Sequence, residues 1–342
     1  MSDGSAKASR APLRLLCLDG GGILGAFSAG VLAGLMDRAN QDKELAGQPK
    51  TGFRLIDHVD LIAGTSTGGI LAIALAMGRH PVEVCDFYRN FGPKIFPKDP
   101  LKFRALLQLV RYKYNPEPLR DAIESVVGSR PLREACCGLV IPAIDVNSGN
   151  IRLFKTDHHA DTQFDTREVS AVDAALATSA APTYFPAHEI NDRGTFIDGG
   201  LWANCPAMVG LTEAVAYLGY NLDEVRLLSV STTSVPYHLS RAKRVGGILF
   251  WAKPVIEAQM RFQIEGSWSE AKSLLTHRGG AYLRIDQVAP DRVFTMDNVS
   301  MVKELIEMGT SNGRYDTNYR FFREQFLTGP TATLHRCPRE AS

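Results

Sequence analysis

An excess of charge of one sign is missing from this chain of 342 residues, which has 38 basic and 37 acidic side chains and a formal net charge of +1. Domains that bind nucleic acid depend on a positive field to attract the phosphate backbone. The charge balance therefore argues against DNA or RNA polymers as partners. Residues 1–10 also lack the apolar core of a signal or transit peptide, so we expect the chain to start near Met1.

Cysteine pairs and metal-binding motifs are absent as well. The six cysteines do not have the paired spacing of a zinc site, and Cys136 and Cys137 are adjacent, a usage that is typical of a reduced cytoplasmic protein. The eight histidines show no His-Glu-x-x-His pattern. We therefore expect a cytoplasmic protein with no metal ion and no other cofactor.

A membrane-spanning run is missing too, although residues 61–78 are uncharged and approach the length of a span. This segment contains four glycines, two threonines and a serine, which fits the end of a strand, a turn and a buried helix better than one continuous span. No internal repeat or low-complexity tract is present. The length favours one α/β domain, with insertions or a helical cap, over two equal domains.

One serine lies between glycines directly after an apolar run. Residues 59–63 read VDLIA and are followed by Gly64-Thr65-Ser66-Thr67-Gly68. Glycines two positions on either side let a strand and a helix close around a sharp turn while the serine hydroxyl projects. The helix expected from Gly69 to Ala76 would direct its N-terminal N–H groups toward developing negative charge. The pattern predicts a nucleophile at Ser66, although on its own it also occurs in ordinary turns.

A second glycine-rich turn follows a predicted strand from Leu13 to Leu18. Three consecutive glycines there offer the bare N–H groups that an oxyanion hole requires, namely Gly20, Gly21 and Gly22. With Gly25 the run also matches Gly-x-Gly-x-x-Gly, but a dinucleotide-binding fold needs a second apolar strand that ends in an acidic residue about twenty positions later. Residues 37–44 are polar throughout, so we interpret them as a helix end and a loop rather than as that strand.

A third turn places a carboxylate after a short apolar strand, from Thr195 to Asp198, and before Gly199 and Gly200. An aspartate with a pKa of about 3.9 is a poor base at neutral pH unless burial raises its proton affinity. The apolar neighbours that would desolvate Asp198 are Phe196, Ile197, Leu201 and Trp202.

The alternative is a Ser-Asp-His triad, because three histidines follow this aspartate. They are His238, His277 and His335; none has a supporting sequence context, and we interpret His238 and His277 as solvated loop histidines.

These three turns and residues 177–186 (ATSAAPTYFP) resemble the four sequence blocks of the patatin-like phospholipases, in the same order and over residues 13–235. The resemblance implies a three-layer α/β/α fold with a central, mostly parallel sheet. It implies a lipid acyl hydrolase, a carboxylic ester hydrolase, in which Ser66 is the nucleophile, Asp198 its base and Gly20 to Gly22 the oxyanion hole. The supporting motif glycines are Gly25, Gly64, Gly68, Gly199 and Gly200. One position departs from the family: Leu24 stands where an Arg or Lys is usual, so no cationic contact is expected there.

The remaining patterns also indicate an α/β fold. Residues 139–146 and 151–155 are expected to pair as a hairpin around the turn signal between them, and Val225 to Thr232 to add another strand. Residues 299–326 are expected to form a closing pair of helices around Gly309 to Gly313. We expect a disordered N-terminus (1–12), a patatin-like domain (13–330) whose residues 240–330 form a helical cap or C-terminal region, and a tail (331–342).

Two segments have more than one interpretation. The stretch from Lys94 to Tyr114 mixes basic and aromatic residues and is either a surface for anionic lipid or phosphate, or an ordinary solvated helix. The helical pattern from Ile256 to Trp268 either faces acyl chains and a membrane, or packs on the core or on a second subunit of a homodimer.

The block spacing is also similar to that of bacterial patatin-like phospholipases that act as antiphage effectors and are switched on by a cyclic oligonucleotide. The basic segments from Lys94 to Lys113 and from Arg241 to Arg244 would then be candidate contacts for such an activator. On this interpretation the chain is a phospholipase that acts on phospholipid at the inner membrane surface. The alternatives are a constitutive soluble esterase or lipase, and a non-catalytic scaffold or binding protein.

Overall fold

The computed structural model describes residues 10–42, 54–98, 111–158, 168–234, 248–289 and 295–329. For residues 248–254, 256 and 257 it describes the backbone alone. Several sequence expectations lie outside the described residues: the N-terminal segment 1–9, most of the basic segment 94–113, residues 241–244, His238, His335 and the tail 331–342.

A mixed sheet of eight strands forms the centre of the fold. The strands are β1 Leu13–Leu18, β2 Leu61–Gly64, β3 Gly138–Asp145, β4 Asn150–Lys155, β5 His188–Ile190, β6 Gly194–Asp198, β7 Val225–Val230 and β8 Ala281–Ile285. The order is β5-β6-β3-β2-β1-β7-β8, and β4 also pairs with β3. Strands β3, β2, β1, β7 and β8 run parallel, whereas β4, β5 and β6 are antiparallel to their neighbours. The expected mostly parallel sheet is confirmed.

Helices cover both faces of this sheet. They are α1 Gly25–Gln41, α2 Thr67–Ala76, α3 Pro81–Ile95, α4 Glu117–Val127, α5 Ala171–Ser179, α6 Gly200–Ala203, α7 Ala207–Thr212, α8 Ile248–Arg278, α9 Val302–Arg314 and α10 Asp316–Phe322. Alternate side chains of β1 point to opposite faces, so Leu16 and Leu18 join one core cluster with α1, α2 and α9. Leu15 and Cys17 join a second cluster with α7 and α8. The three-layer architecture is therefore confirmed.

The central parallel strands are recognisable in sequence because burial on both faces makes them continuous apolar runs. Strand β1 has the predicted bounds, and all six of its residues are buried. The hairpin of β3 and β4 is also confirmed, since Asp145 pairs with Asn150 around a four-residue turn. The near-span at residues 61–78 divides, as expected, into β2, a turn and helix α2.

Helices α1 and α9 pack with their backbones in close contact. A Cβ atom at Gly309 would lie 2.2 Å from the carbonyl oxygen of Phe27, and one at Gly313 would lie 2.1 Å from that of Val31. The expectation that residues 309–313 form the turn of a helical pair is therefore wrong. These glycines lie inside α9, where they allow its backbone to approach α1. The helix ends at Arg314, and Tyr315 separates α9 from α10.

Among the described residues, one stretch, Gly22–Gln41, is long and apolar enough to span a membrane. Most of this stretch is buried inside the protein, including 83% of its most apolar part. It corresponds to α1 and the turn before it, which contribute to the core of the fold.

The carboxyl ends of two strands, β2 and β6, meet beside β3. Strand β4 occupies one edge of β3 from Val140 to Asp145. On the opposite edge, β2 pairs with the first residues of β3, and Asp198 at the end of β6 pairs with Ala143. Strands β2 and β6 therefore lie end to end, with their carboxyl ends facing each other.

Candidate active site

Ser66 lies on the sharp turn between β2 and α2. Its backbone has φ 55° and ψ −124°, a combination that side chains other than glycine rarely adopt and that stores conformational strain. The N–H of Ser66 donates to Oγ1 of Thr178 over 3.0 Å, and that hydroxyl donates to the carbonyl of Pro142 over 2.6 Å. Thr178 therefore holds the turn against β3. Sequence reasoning missed this role, because Thr178 was noted only as part of the block at 177–186.

The motif glycines allow the turn to approach β1. A Cβ atom at Gly68 would lie 2.2 Å from the carbonyl oxygen of Leu18, a distance at which the backbone would have to move. Backbone or side-chain atoms are similarly close to the other supporting glycines of the motifs, Gly25, Gly64, Gly199 and Gly200. Close packing is thus a sufficient structural reason for all five.

The hydroxyl of Ser66 donates to Oδ2 of Asp198 over 2.6 Å, while the N–H of Gly200 donates to Oδ1 over 2.6 Å. Asp198 is 5% exposed. Its burial raises the pKa of this carboxyl to about 6, although the hydrogen bonds from Ser66 and Gly200 act in the opposite direction. A carboxylate with this pKa is ionised at neutral pH and is a stronger base than an ordinary aspartate.

The desolvation of Asp198 comes only in part from its sequence neighbours. Phe196 is fully buried, whereas Ile197, Leu201 and Trp202 are half-buried. The N–H of Asp198 donates to the carbonyl of Ala180 over 3.0 Å, so the block at 177–186 closes over the aspartate. Tertiary contacts therefore add to the apolar residues next to it in the chain.

No histidine hydrogen-bonds to Ser66 or Asp198 within the described parts of the chain. His277, which we expected in a loop, is in the last turn of α8, where its Nδ1 lies 2.8 Å from the carbonyl of Ser273. His188 lies 3.0 Å from Asp173 instead. The two side chains that meet in this geometry are a serine and an aspartate.

The glycine run lies beside this pair, and its three N–H groups differ. The N–H of Gly20 donates to the carbonyl of Asn204 over 2.9 Å. For the N–H groups of Gly21 and Gly22, no protein acceptor is found among the described residues. These two N–H groups can therefore donate hydrogen bonds to a negatively charged substrate oxygen.

Asp19, which precedes the run, contacts a cation that the sequence did not identify. Its Oδ2 accepts from Arg284 of β8 over 2.7 Å, and both side chains are buried. Leu24, at the position where a basic residue is usual in the family, is buried in the core. An arginine thus contacts this segment from a different strand, 265 residues later.

An apolar cleft opens beside Ser66. Its walls come mainly from α3, from the Ser66 turn and the start of α2, and from residues 181–185, with Gly22, Ile23 and Met296 at one side. The hydroxyls of Thr67 and Tyr88, both in the lining, lie 2.6 Å apart. The large apolar residues that line it include Ile70, Phe87, Ile95, Phe96, Phe185 and Met296. A lining of this kind is typical of sites that bind the apolar part of a ligand.

The sequence model of the family described as "Patatin-like phospholipase" matches residues 16–211. A Vibrio cholerae protein named cGAMP-activated phospholipase is 35% identical over 311 residues, which cover 84% of this chain and 86% of that protein. An Escherichia coli protein of the same name is 32% identical, with 96% of this chain and 94% of that protein covered. Patatin-like protein 1 of Oryza sativa subsp. indica is 36% identical, with 58% of this chain and 50% of the rice protein covered.

Proposed function

This chain belongs to the patatin-like phospholipase family and is a hydrolase of ester bonds; on that premise we propose that it cleaves phospholipid acyl esters with Ser66 and Asp198, under the control of a cyclic dinucleotide. The observation that carries the catalytic part is the 2.6 Å hydrogen bond from the Ser66 hydroxyl to a buried carboxylate. It supports a nucleophile and base that are already in contact.

In the proposed acylation step, Oγ of Ser66 attacks the ester carbonyl while Oδ2 of Asp198 accepts the hydroxyl proton. The carbonyl oxygen gains negative charge, and the N–H groups of Gly21 and Gly22 stabilise it. Collapse of the tetrahedral intermediate breaks the bond to the lysolipid oxygen, which takes the proton from Asp198. The fatty acyl group remains on Ser66 as an ester.

Deacylation repeats these roles with water. Asp198 accepts a proton from the water molecule, whose oxygen attacks the acyl-enzyme, and the collapse of the second intermediate returns the proton to Oγ of Ser66. Burial is what allows one carboxyl to serve in both directions, because a pKa of about 6 is close enough to neutrality for it to accept and release a proton.

The lipid substrate is proposed from the cleft. Its lining is predominantly apolar and contains Ser66 itself, so a hydrocarbon chain bound there would present its ester carbonyl to the nucleophile. The exposed apolar residues Val255 and Phe262 of α8, at 51% and 59%, support contact with a bilayer or with a second subunit. We propose that the protein is cytoplasmic and acts at the surface of the inner membrane.

Regulation is proposed from the relatives, since two proteins aligned over most of their length are named as cGAMP-activated. We propose that cGAMP or a related cyclic dinucleotide activates this chain in antiphage defence. The segment from Lys94 to Lys113 was the first candidate contact for such an activator. Of its described residues, Lys94 lies over the ring of Phe91 and Lys113 pairs with Asp297.

The test is the release of fatty acid from phospholipid vesicles by the wild type, Ser66→Ala and the matched control Ser125→Ala, with and without cGAMP. Ser125 is exposed, and its hydroxyl donates to the carbonyl of Ala122 within its own helix. We expect release only with cGAMP, equal in the control and lost in Ser66→Ala.

Each other outcome has a definite meaning. Serine-dependent release without any nucleotide would indicate a constitutive lipase, and hydrolysis of dissolved short-chain esters without a gain on vesicles would indicate a soluble esterase. If Ser66 neither hydrolyses esters nor reacts with a fluorophosphonate under any condition, the catalytic proposal fails and a binding or scaffold role is favoured.

A further inference from the structure

A short segment before α9, which we call the strap and define as residues 295–298, presses on the glycine run. The N–H of Ile23 donates to the carbonyl of Met296 over 2.8 Å. A Cβ atom at Gly22 would lie 2.3 Å from the same carbonyl oxygen. Gly22 also has φ +59°, so both its conformation and the space left by the strap require glycine. The strap therefore touches the segment whose N–H groups are proposed to receive the oxyanion.

The neighbouring residue of the strap, Asp297, is held by two donors from the other side of the cleft. Its Oδ2 accepts from Nζ of Lys113 over 2.6 Å and from the hydroxyl of Tyr114 over 2.9 Å. Burial alone would raise the pKa of Asp297, but these two hydrogen bonds, the positive charge of Lys113 and a hydrogen bond from Thr295 together lower the pKa below its usual range. The side chains of the ion pair are 18% and 16% exposed, so water screens it less than a surface pair.

Lys113 and Tyr114 are in turn fixed to the cleft wall through their backbone. The N–H of Lys113 donates to the carbonyl of Thr183 over 3.0 Å, and that of Tyr114 donates to the carbonyl of Tyr184 over 2.9 Å. Tyr184 lines the same cleft as Met296 and Ser66. Hydrogen bonds at Asp297 and at the adjacent Met296 therefore connect the cleft wall to Ile23, the residue after the glycine run.

The other end of the strap leads into α9. Oδ1 of Asn298 accepts from the N–H of Ser300 over 3.2 Å at the start of the helical turn that precedes α9. Helix α9 packs closely on α1, which begins at Gly25, after the short helical turn Gly22–Leu24. The strap is thus fixed at its helical end by α9, and Asp297 is the point at which it is fixed to the wall.

We propose that Asp297 is a positioning residue for the reaction: by anchoring the strap to Lys113 and Tyr114, it holds the N–H groups of the glycine run at the distance from Ser66 that oxyanion stabilisation requires. This inference rests on the proposed function. Asp297 itself touches no reacting atom. Its effect passes through the Met296 carbonyl to the N–H of Ile23, the residue next to Gly22.

Such anchoring matters because hydrogen bonds to an oxyanion depend steeply on donor placement. A shift of the donors by about 1 Å is enough to cost roughly a hundredfold in rate. The effect falls mainly on the chemical step, since most of the apolar lining that would bind the lipid chain lies outside the strap and the glycine run. Loss of Asp297 should therefore lower kcat more than it changes KM.

The first measurement is kinetic and uses the full chain under the conditions in which the wild type is active. We expect Asp297→Ala to lower kcat roughly 10- to 100-fold with KM changed less than about threefold. Asp297→Asn, which keeps an oxygen acceptor but loses the charge, should be intermediate. The matched control is Asp316→Asn, because the Asp316 side chain is 85% exposed and pairs with Arg38 on the surface; it should match the wild type.

A double-mutant cycle connects the effect to the anchor. Lys113→Met removes the strongest donor to Asp297, and we expect the double variant with Asp297→Ala to be no slower than the slower single variant. Fully additive losses would show that the two residues act separately and would overturn the proposal. The proposal would also be overturned if Asp297→Ala changed KM by as large a factor as it lowered kcat, or if it left kcat unchanged.

The second measurement is independent of activity. Hydrogen exchange of the peptide that covers residues 19–26 reports on the Ile23 N–H bonded to Met296, and Asp297→Ala should accelerate it at least about tenfold. Unchanged exchange there would overturn the anchoring role whether or not the protein is an enzyme. If the wild type is inactive and its Ser66 does not react with a fluorophosphonate, the proposed function fails. The exchange result still decides whether Asp297 anchors the strap.

Discussion

Ser66 and Asp198 are 132 residues apart in the chain, yet their side chains form a 2.6 Å hydrogen bond because β2 and β6 lie end to end along one edge of β3. Val140 of β3 is the last partner of β2, and Ala143 is the partner of Asp198. Thr178 fills the interval between them, where its hydroxyl joins the Ser66 N–H to the carbonyl of Pro142. The proposed dyad is thus a consequence of strand register as much as of residue type.

The pH dependence of hydrolysis should follow the ionisation of Asp198. Burial raises the pKa of this carboxyl to about 6, and the proposed base must be ionised. We expect kcat/KM to fall about tenfold per pH unit below roughly 6 and to be flat from about 7 to 8.5. Initial rates on an ester without ionisable groups would test this. A break near pH 4, or a flat profile from 5 to 8, would contradict it.

The same burial should appear in stability. The pKa of Asp198 is raised from 3.8 to about 6, so the folded state holds its proton more tightly than the unfolded state. The stability from this group is fully present below about 3.8 and is lost as pH rises through about 6. At about 1.4 kcal/mol per pKa unit, the loss is roughly 3 kcal/mol.

Asp198→Asn does not titrate, so its free energy of unfolding should rise relative to that of the wild type between pH 4 and 6.5, by about that amount. Urea unfolding of both proteins at several pH values measures the difference. The variant should also lose roughly a thousandfold in activity. A pH-independent stability difference would mean that the carboxyl is not desolvated as described.

Gly68→Ala should destabilise the fold, because its Cβ would lie 2.2 Å from one backbone oxygen and 2.6 Å from another, those of Leu18 and Asp19. We expect a loss of about 2 kcal/mol or more. The control is Gly266→Ala in α8, where a Cβ meets nothing within 4 Å. Helix propensity should make that variant about 0.5–1 kcal/mol more stable. Thermal unfolding compares the two, and a similar Tm for both would contradict the packing argument.

The length of the acyl chain should depend on Gly92, a residue of α3 that lines the cleft. A Cβ atom there would lie 2.9 Å from Cδ1 of Ile23, so Gly92→Leu should fill part of the cleft. We expect the preferred p-nitrophenyl ester to become shorter by several carbons, with short-chain esters still hydrolysed. Asn90→Leu, at an exposed position of the same helix, should keep the original preference. If both variants keep it, the acyl chain does not bind in this cleft.

The prediction from sequence was accurate where a feature depends on local pattern. Strand β1 was predicted residue by residue, and α2 ends at the expected Ala76 and begins two residues before the expected Gly69, because buried strands and helices have distinct apolar periodicities. Strands β5 and β8 were missed: the first has three residues, and four of the five residues of the second are only half-buried. The glycines at 309 and 313 were misplaced in a turn because their reason for being there, the backbone of α1, is nearly 300 residues away in the chain.

By itself the sequence determined the family resemblance, most of the strands of the sheet, and the two turns that display Ser66 and Asp198. These are local properties, since a strand followed by a glycine-flanked turn is encoded in adjacent residues. The tertiary structure alone decided that Thr178 supports the serine turn and that Arg284 contacts Asp19. It also decided that the Gly20 N–H donates to Asn204, while the N–H groups of Gly21 and Gly22 have no protein acceptor in the part of the chain that is described. Such contacts depend on strand register and on the packing of distant helices, and no pattern within a short stretch of sequence specifies them.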